Sequence, residues 1–259
     1  MIAQKPPSTL YPDYRIPVNL WLEVGWCLLS GRERSVLSDS LAAFQNGRPV
    51  VRAVGQENIP SEDACLVVCN HYHRSGFDAW WIALGVSAAF DGRRAESAGK
   101  DIHWVMTSAW TFPENRMRAK LFTPLTRVLF TRLARLYGFI SMPPMPPAPE
   151  EVQERAAAVL RTVRLARAGR ENGVLIGLAP EGQDYGREMG RLPEGVGEYI
   201  ALLVQAGLKV LPAGVYEEGE ALVVSFGEVF VPALGEKEER DSLVAAQVMA
   251  VIRNLIANH

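Results

Sequence analysis

The sequence of 259 residues has few cysteines and little excess charge of either sign. Its three cysteines are Cys27, Cys65 and Cys69, an odd number, and two of them lie within apolar runs. This pattern argues against a disulfide framework or a cysteine-based metal site, and we expect a reducing compartment. The net charge of -2 and the pI near 6.1 argue against a general nucleic-acid binder, which is usually strongly basic.

Long apolar runs are also lacking, since a membrane-spanning helix needs about 20 apolar residues. The longest run near the start, Val18–Ser30, is interrupted by Glu23. Residues 1–14 lack the apolar core of a secretory signal, so we expect a cytoplasmic protein. Trp21 and Trp26 suit the headgroup boundary of a membrane. A helix in the membrane surface and a helix packed on the core both explain these tryptophans, and the sequence leaves both open.

Short β-rich runs alternate with longer helical runs through most of the chain. The predicted strands are Val50–Val54, Cys65–Cys69, Ile102–Thr107, 174–178, 209–216 and Ala221–Phe226. The predicted helices are 78–90, 149–168, 194–206 and 242–257, the last capped by Asp241 or Ser242. This alternation predicts the α/β class, with one central, largely parallel (mixed) sheet flanked by helices. We assign residues 1–48 to an N-terminal helical segment and residues 49–259 to the α/β domain.

Residues 70–78, Asn-His-Tyr-His-Arg-Ser-Gly-Phe-Asp, carry the strongest chemical signal. They follow the predicted strand Cys65–Cys69, and sites in such sheets form at the carboxyl ends of strands. His73 and Asp78 lie at this turn, where an imidazole can act as a general base and a carboxylate can orient it. For an isolated pair at this spacing, ordinary surface loop residues are the competing interpretation.

The second signal is Gly-Leu-Ala-Pro-Glu-Gly at residues 177–182, again at the end of an apolar strand. Pro180 fixes the direction in which the chain leaves the strand, and Gly182 allows close approach of a backbone or ligand. Glu181 between them is left at the strand tip. Alone, this motif predicts a turn. Two strand-tip motifs in one sheet face the same crevice, which favours a shared site.

With these motifs in this order, the chain resembles the glycerolipid acyltransferases of the lysophosphatidate and glycerol-3-phosphate type. Residues 73–78 resemble the first block of that family, which is built on His-x4-Asp, and residues 179–182 resemble its Pro-Glu-Gly block. Residues 54–60 resemble the Gly-x-Glu-Asn-Ile-Pro lead-in, and residues 210–214 resemble the fourth block. The resemblance covers about residues 50–232.

The resemblance implies a fold like that of glycerol-3-phosphate acyltransferase and an O-acyltransferase similar to 1-acylglycerol-3-phosphate acyltransferase. Such an enzyme moves a fatty acyl chain from acyl-CoA or acyl carrier protein to a hydroxyl of a glycerol-derived or related lipid. The resemblance implies His73 as general base, Asp78 as its orienting partner, and no cofactor besides the thioester co-substrate. Substrate contacts are implied for Arg74, Ser75, Pro180, Glu181 and Gly182.

The chain departs from the family pattern at its phosphate-binding positions. Gln183 and Asp184 follow the Pro-Glu-Gly block, where the family has Thr-Arg. The second block is reduced to residues 138–142 and lacks its arginine. Arg187 and Arg191 follow closely and are the candidates to replace the missing arginines, since a loop can present a guanidinium from several positions. Without such a replacement, the acceptor is a lipid without a phosphate monoester.

His71 leaves alternatives open. In the family, Asn-His belongs to the His-x4-Asp unit, whereas Asn70 and His71 precede His73 here. His71 is therefore a rival base or, with Asn70, a supporting residue. His71, His73 and Asp78 also form a known ligand set for a metal-dependent hydrolase, although we expect no metal. The missing arginines suggest a further alternative, a non-catalytic lipid-binding protein of the same fold.

Residues 116–135 combine basic and apolar side chains and contain no acidic residue. The basic residues are Arg116, Arg118, Lys120, Arg127, Arg132 and Arg135. A basic amphipathic helix can bind anionic headgroups, and a solvated helix face explains the same pattern. We expect a peripheral protein at the inner face of the membrane. Its expected partners are the thioester donor, with acyl carrier protein as one candidate, the lipid acceptor and the membrane surface, but no nucleic acid.

Overall fold

The computed structural model describes residues 12–45, 49–112, 115–144, 147–181 and 192–257. Within them, seven strands form one sheet in the order β1-β7-β6-β2-β5-β3-β4. The strands are β1 (Val50–Val54), β2 (Cys65–Cys69), β3 (Ile102–Thr107), β4 (Ile140–Met142), β5 (Leu175–Leu178), β6 (Lys209–Glu218) and β7 (Ala221–Phe226). All neighbours are parallel except the β6–β7 hairpin. The predicted α/β class with a largely parallel mixed sheet is confirmed.

Helices cover both faces of this sheet. They are α1 (Val18–Ser30), α2 (Val36–Phe44), α3 (Trp80–Ala88), α4 (Arg116–Tyr137), α5 (Val152–Gly169), α6 (Val196–Gln205) and α7 (Arg240–Ala257). The sheet has a hydrophobic core on each of its faces, and strand β2 contributes side chains to both. Successive strand side chains point to opposite faces. Val67 packs in the core beneath α1, α2 and α3, and its neighbours Leu66 and Val68 pack in the core beneath α5, α6 and α7. A strand buried on both faces is apolar throughout, as β2 is.

Strand β4 was not predicted, and helix α2 lies in the segment 1–48 that was predicted to be helical without bounds for this helix. Strand β4 has three residues and pairs only with the end of β3, so it is too short to show a period-2 pattern. Helix α2 has nine residues and begins after Ser35, whose hydroxyl accepts a hydrogen bond from the Ser38 N–H at 3.1 Å. The helix expected at 149–168 starts with a 3₁₀ turn, Pro149–Glu151, before α5.

The expected cap of the last helix is wrong. Helix α7 begins at Arg240, one residue before Asp241. The Asp241 carboxylate instead accepts hydrogen bonds from the Gly195 N–H at 2.9 Å and the Glu198 N–H at 3.0 Å. These N–H groups lie at the start of α6, where they lack partners within the helix. The side chain therefore caps a neighbouring helix and joins α6 to α7, an arrangement that local spacing does not reveal.

A buried arginine lies at the amino end of the central strands. Arg94 is 8% exposed, and its guanidinium donates only to main-chain carbonyls among the described residues. These carbonyls belong to loops that lead into β2, β3 and β5. Burial lowers the pKa of Arg94, but an arginine stays charged in proteins. The acceptors are Gly99 at 3.1 Å, Asp63 at 2.9 Å, Gly173 at 2.5 Å, Glu62 at 3.5 Å and Pro60.

Helices α1 and α4 contact each other, and both expose large apolar side chains. Helix α1 buries Leu20 and Cys27, whereas Trp21 is 58% exposed and Trp26 is 64% exposed. We call the exposed apolar side chains of these helices the α1–α4 apolar face: Val18, Trp21, Leu22, Trp26, Leu29, Met117, Leu121, Phe122, Leu125, Val128 and Leu129. Among the helices of the described ranges, none combines the length and apolar character that crossing a bilayer requires.

Candidate active site

Strand β2 carries the loop of residues 70–78 to the carboxyl edge of the sheet. Within this loop, Arg74 and Phe77 close a tight turn: the Phe77 N–H donates to the Arg74 carbonyl at 2.9 Å, and the Arg74 N–H donates to the Phe77 carbonyl at 3.3 Å. Gly76 has φ of +81°, a conformation that glycine adopts without strain. The turn folds the chain back, so that His73 and Asp78 lie side by side.

The predicted general base, His73, and its orienting partner, Asp78, lie close together and are exposed. His73 Nε2 lies 3.7 Å from Asp78 Oδ1, with 42% and 63% of the respective side chains exposed. This separation exceeds a hydrogen bond, but catalytic contacts often tighten only when substrate is bound. The Asp78 carbonyl accepts the Trp81 N–H at 3.0 Å, so Asp78 lies at the start of α3. A carboxylate is favourable at a helix amino terminus.

Asn70 fixes the point at which the loop leaves the sheet. Its side chain is buried, donates to the Val215 carbonyl at 2.9 Å and accepts from the Val215 N–H at 2.7 Å. These two bonds continue the pairing of β2 with β6 beyond the last strand residue. Asn70 was predicted as a supporting residue of the base; its contacts fix the loop, and its part in the reaction stays a prediction.

The two sequence motifs meet at Glu181. This residue follows β5, is fully buried and accepts a hydrogen bond from the His71 N–H through Oε2. Strands β2 and β5 are parallel neighbours, so their carboxyl ends lie together. The expected convergence of the two strand tips is therefore present. The Glu181 carboxylate fixes the backbone of the 70–78 loop, and Pro180 beside it is buried as well.

A second buried carboxylate, Glu217 on β6, was missed by the sequence analysis. Its side chain is 2% exposed and accepts from Arg74 Nε at 2.7 Å, from Arg74 Nη2 and from the Tyr72 hydroxyl. The pair with Glu217 raises the pKa of Arg74, and burial followed by the hydrogen bond to Glu217 raises the pKa of Tyr72. No alternation marked this residue, because β6 is buried on both faces up to Val215 and the predicted strand ended at Tyr216.

The other residues predicted to contact substrate have different degrees of exposure, and some lie outside the described residues. The Arg74 guanidinium is 17% exposed and pairs with Glu217, so the described contacts give it a structural role. Ser75 is exposed in the turn beside His73. Gly182, Arg187 and Arg191 lie outside the described residues. Substrate contacts of all these residues stay predictions. No group of three His, Cys, Asp or Glu side chains in the described ranges is placed to hold a metal ion.

A cleft of about 560 Å³ lies away from these motifs, between α4, β4 and α5. Its lining includes Gly138, Ser141, Arg135 and Arg161. The remnant of the second family block therefore borders this cleft. In the sheet, β4 is three positions from β2, which at about 4.8 Å per strand places it roughly 14 Å from the 70–78 loop. None of the predicted catalytic residues lines the cleft.

Comparison with known proteins gives a likeness in structure only. No protein-family model matches the sequence, and no curated protein does. Six solved chains match. One is the 1-acyl-sn-glycerophosphate (LPA) acyltransferase PlsC from Thermotoga maritima, with 16% sequence identity and a TM-score of 0.43 over 85% of this chain and 78% of that chain.

Proposed function

We propose that the protein is an acyltransferase that moves a fatty acyl chain from an acyl thioester to a hydroxyl of a glycerol-derived or related lipid. One observation carries the proposal: the His73–Asp78 pair is exposed at the carboxyl edge, on a loop that buried Glu181 fixes from the neighbouring strand. The motifs that suggested the acyltransferase family are separated by about a hundred residues in sequence, and they share this one site.

In the proposed reaction, His73 acts as the general base. Its Nε2 is turned toward Asp78, so Nδ1 takes the proton of the acceptor hydroxyl. The hydroxyl oxygen attacks the thioester carbonyl, and the resulting intermediate collapses with cleavage of the carbon–sulfur bond. His73 then returns the proton to the thiolate that leaves. Asp78 stabilises the imidazolium that forms between these steps. No covalent acyl-enzyme is required.

The site as described offers few groups for a phosphate monoester. Arg74 already pairs with Glu217, and the two other candidate arginines, Arg187 and Arg191, lie outside the described residues. We therefore place lysophospholipids with a larger headgroup, glycolipids and aminolipids beside lysophosphatidate as candidate acceptors. The donor is acyl-CoA or acyl carrier protein, and either supplies the same thioester carbonyl.

The decisive experiment is thiol release from both donors with a panel of these acceptors. Wild type, His73→Ala, His71→Ala and Asp78→Asn are compared at equal concentration of folded protein. The proposal expects acceptor-dependent thiol release that falls in His73→Ala and persists in His71→Ala. Full activity in His73→Ala with loss in His71→Ala would transfer the role of base to His71. Lipid binding without thiol release from any donor would favour the non-catalytic alternative.

We also propose that the α1–α4 apolar face docks the protein peripherally on an anionic membrane, so that the lipid acceptor reaches the site from the bilayer. Tryptophans on α1 suit the headgroup region, and the basic residues of α4 are attracted by anionic lipid, each contributing about 1 kcal/mol. Helix α4 has no acidic residue to oppose this attraction. We propose the inner face of the membrane as its location, as the sequence led us to expect.

Sedimentation with vesicles tests the docking. Wild type should pellet with phosphatidylglycerol vesicles at low salt, less at high salt and little with phosphatidylcholine vesicles. The double variant Arg116→Glu/Lys120→Glu should pellet less, because both changes reverse charge on α4. Arg167→Glu is the matched control, since Arg167 is an exposed arginine on α5, against the other core. Equal loss in the control, or no pelleting of wild type, would refute the docking surface.

A further inference from the structure

A buried carboxylate lies directly behind the turn that carries the candidate base. Glu217 approaches from β6, and its side chain has almost no exposed surface. Both Nε and Nη2 of Arg74 donate to it, and the Tyr72 hydroxyl donates to the oxygen that accepts from Nε. A bidentate arginine–carboxylate pair fixes orientation as well as distance. The loop of residues 70–78 is thus held to β6 by two of its side chains.

The residues that Glu217 holds are next to those that carry the proposed chemistry. Tyr72 directly precedes His73, and Phe77 directly precedes Asp78. The rings of Tyr72 and Phe77 are stacked, with centroids 4.8 Å apart and planes inclined by 18°. The guanidinium of Arg74 lies 5.8 Å from the Phe77 ring centroid, a cation–π contact. The separation of His73 and Asp78 therefore depends on how this stack is held.

The N-terminal segment closes the same cluster from outside. The Tyr14 ring packs edge-on against Phe77 with centroids 4.7 Å apart, and Arg74 also lies over Tyr14 at 5.8 Å. Arg74 Nη2 donates to the Pro12 carbonyl at 3.3 Å. Arg74 thus binds Glu217 and the segment of residues 12–14 at once, and Phe77 packs against Tyr14 of that segment.

We propose that Glu217 is a positioning residue for the His73–Asp78 pair: it holds Tyr72 and Arg74, and through their contacts with Phe77 it sets the separation of the imidazole and the carboxylate. This inference rests on the proposed function for its catalytic meaning. Glu217 touches neither His73 nor Asp78 in the described contacts, so it acts through other residues. No new chemistry is required, because the effect is geometric.

Steady-state kinetics of Glu217→Gln test the proposal. The variant keeps the size of the side chain but removes the charge that binds Arg74. It should lower kcat about 100-fold, as expected for a misplacement of about 1 Å, and leave the KM of the thioester within twofold. Tyr72→Phe removes a single hydroxyl and keeps the stack, so it should lower kcat less. If Glu217→Gln does not fold, Tyr72→Phe still reports on the same contact.

Glu218→Gln is the matched control. Glu218 is the next residue of β6, is about half exposed and pairs with Arg52 on the far side of the hairpin. It should leave kcat and KM unchanged. In the double variant Tyr72→Phe/Glu217→Gln, the two losses in kcat should not add, because Tyr72, Arg74 and Glu217 form one connected set of contacts. Unchanged kcat in Glu217→Gln at a temperature where the variant is fully folded would overturn the proposal.

Hydrogen exchange separates this proposal from the proposed function. The N–H groups of Arg74 and Phe77 bond to each other's carbonyls, so their exchange rates report whether the turn is closed. Both should exchange faster in Glu217→Gln and unchanged in Glu218→Gln, while the N–H groups of β7 keep their rates. Unchanged exchange at the turn would overturn the positioning role even if wild type is active. Absence of thiol release in wild type would instead refute acyl transfer.

Discussion

The two ends of the central strands use charged side chains differently. At the amino end, Arg94 is buried and donates to main-chain carbonyls of several loops. At the carboxyl end, Glu181 and Glu217 are buried and accept from the loop that follows β2, yet His73 and Asp78 on that loop remain exposed. Buried charge fixes loops at both ends. The amino end exposes the Lys209–Asp63 ion pair, whereas the carboxyl end exposes His73 beside Asp78, and we place the chemistry at this imidazole.

The largest expected effect is that of His73→Ala, which should reduce turnover at the carboxyl end and leave stability nearly unchanged. Removal of a general base costs about 10²- to 10⁴-fold in turnover, or roughly 3 to 5 kcal/mol in the activation barrier. Because His73 is exposed, the free energy of unfolding should change by less than about 0.5 kcal/mol. Initial rates of thiol release and urea unfolding measure the two quantities. A comparable loss of stability would mean that the loop depends on His73 for its structure.

The amino end should show the opposite behaviour in Arg94→Met. The variant removes the donor from carbonyls of three loops, of which that of Gly173 is buried, and at about 1 kcal/mol for each the free energy of unfolding should fall by roughly 3 kcal/mol. Turnover of the folded variant should stay near that of wild type. Arg93→Met is the control, because the exposed side chain of Arg93 bonds only to Gln56 among the described residues. Equal destabilisation by both variants would contradict the role given to Arg94.

Glu181→Gln should reduce both stability and turnover, because it weakens a buried, charged hydrogen bond that fixes the 70–78 loop. We expect a loss of about 1.5 to 3 kcal/mol in the free energy of unfolding, the range for hydrogen bonds to charged groups. Turnover should fall as well. Exposed Glu171, before β5, supplies the control Glu171→Gln. A stable but inactive Glu181→Gln would show that Glu181 contacts substrate rather than only the loop.

The smallest expected effect is that of Tyr72→Phe, which should change how steeply the free energy of unfolding falls with pH. Burial raises the pKa of Tyr72 above its usual value near 10, so the hydroxyl keeps its proton in the folded state while the unfolded chain ionises above about pH 10. Stability is therefore full below pH 10 and falls above it, by about 1.4 kcal/mol per pH unit for each such tyrosine. Tyr72→Phe should remove one such contribution, measured by urea unfolding between pH 9 and 11.

A second tyrosine checks that slope independently. Burial and a hydrogen bond to Asp39 raise the pKa of Tyr137, which lies far from the 70–78 loop at the end of α4. Tyr137→Phe should reduce the slope above pH 10 by the same amount as Tyr72→Phe. Unequal slopes, with Tyr72→Phe unchanged from wild type, would mean that the Tyr72 hydroxyl ionises as readily in the folded protein as in the unfolded chain.

The sequence predicted the features that depend on local pattern. Strands β2 and β5 are continuous apolar runs between turns, and both were located to within one residue. Because parallel neighbours end at the same edge, the convergence of the 70–78 loop and Glu181 followed from two strand tips. The fold class and the elements of the candidate site were therefore accessible before any coordinates.

Features that depend on distant partners were not accessible. Arg74 and Glu217 are 143 residues apart in sequence, and Asp241 caps a helix that begins more than 40 residues earlier. Arg94 lies in a polar loop that a sequence pattern marks as exposed, and only the arrangement of three loops buries it. Strand β4 is defined by pairing rather than by its own three residues. In each case the contacting residue is distant in sequence and comes close only in the folded chain.

The two thiols of β2 can serve as chemical probes of how often this strand opens. Cys65 and Cys69 are fully buried, and burial raises the pKa of the Cys65 thiol to about 12 and that of Cys69 as well. Alkylating reagents attack the thiolate, so they label these residues only when the strand leaves the sheet. The labelling rate of these two thiols, resolved from that of Cys27 by peptide mapping, therefore measures how often the strand before the 70–78 loop opens in the native protein.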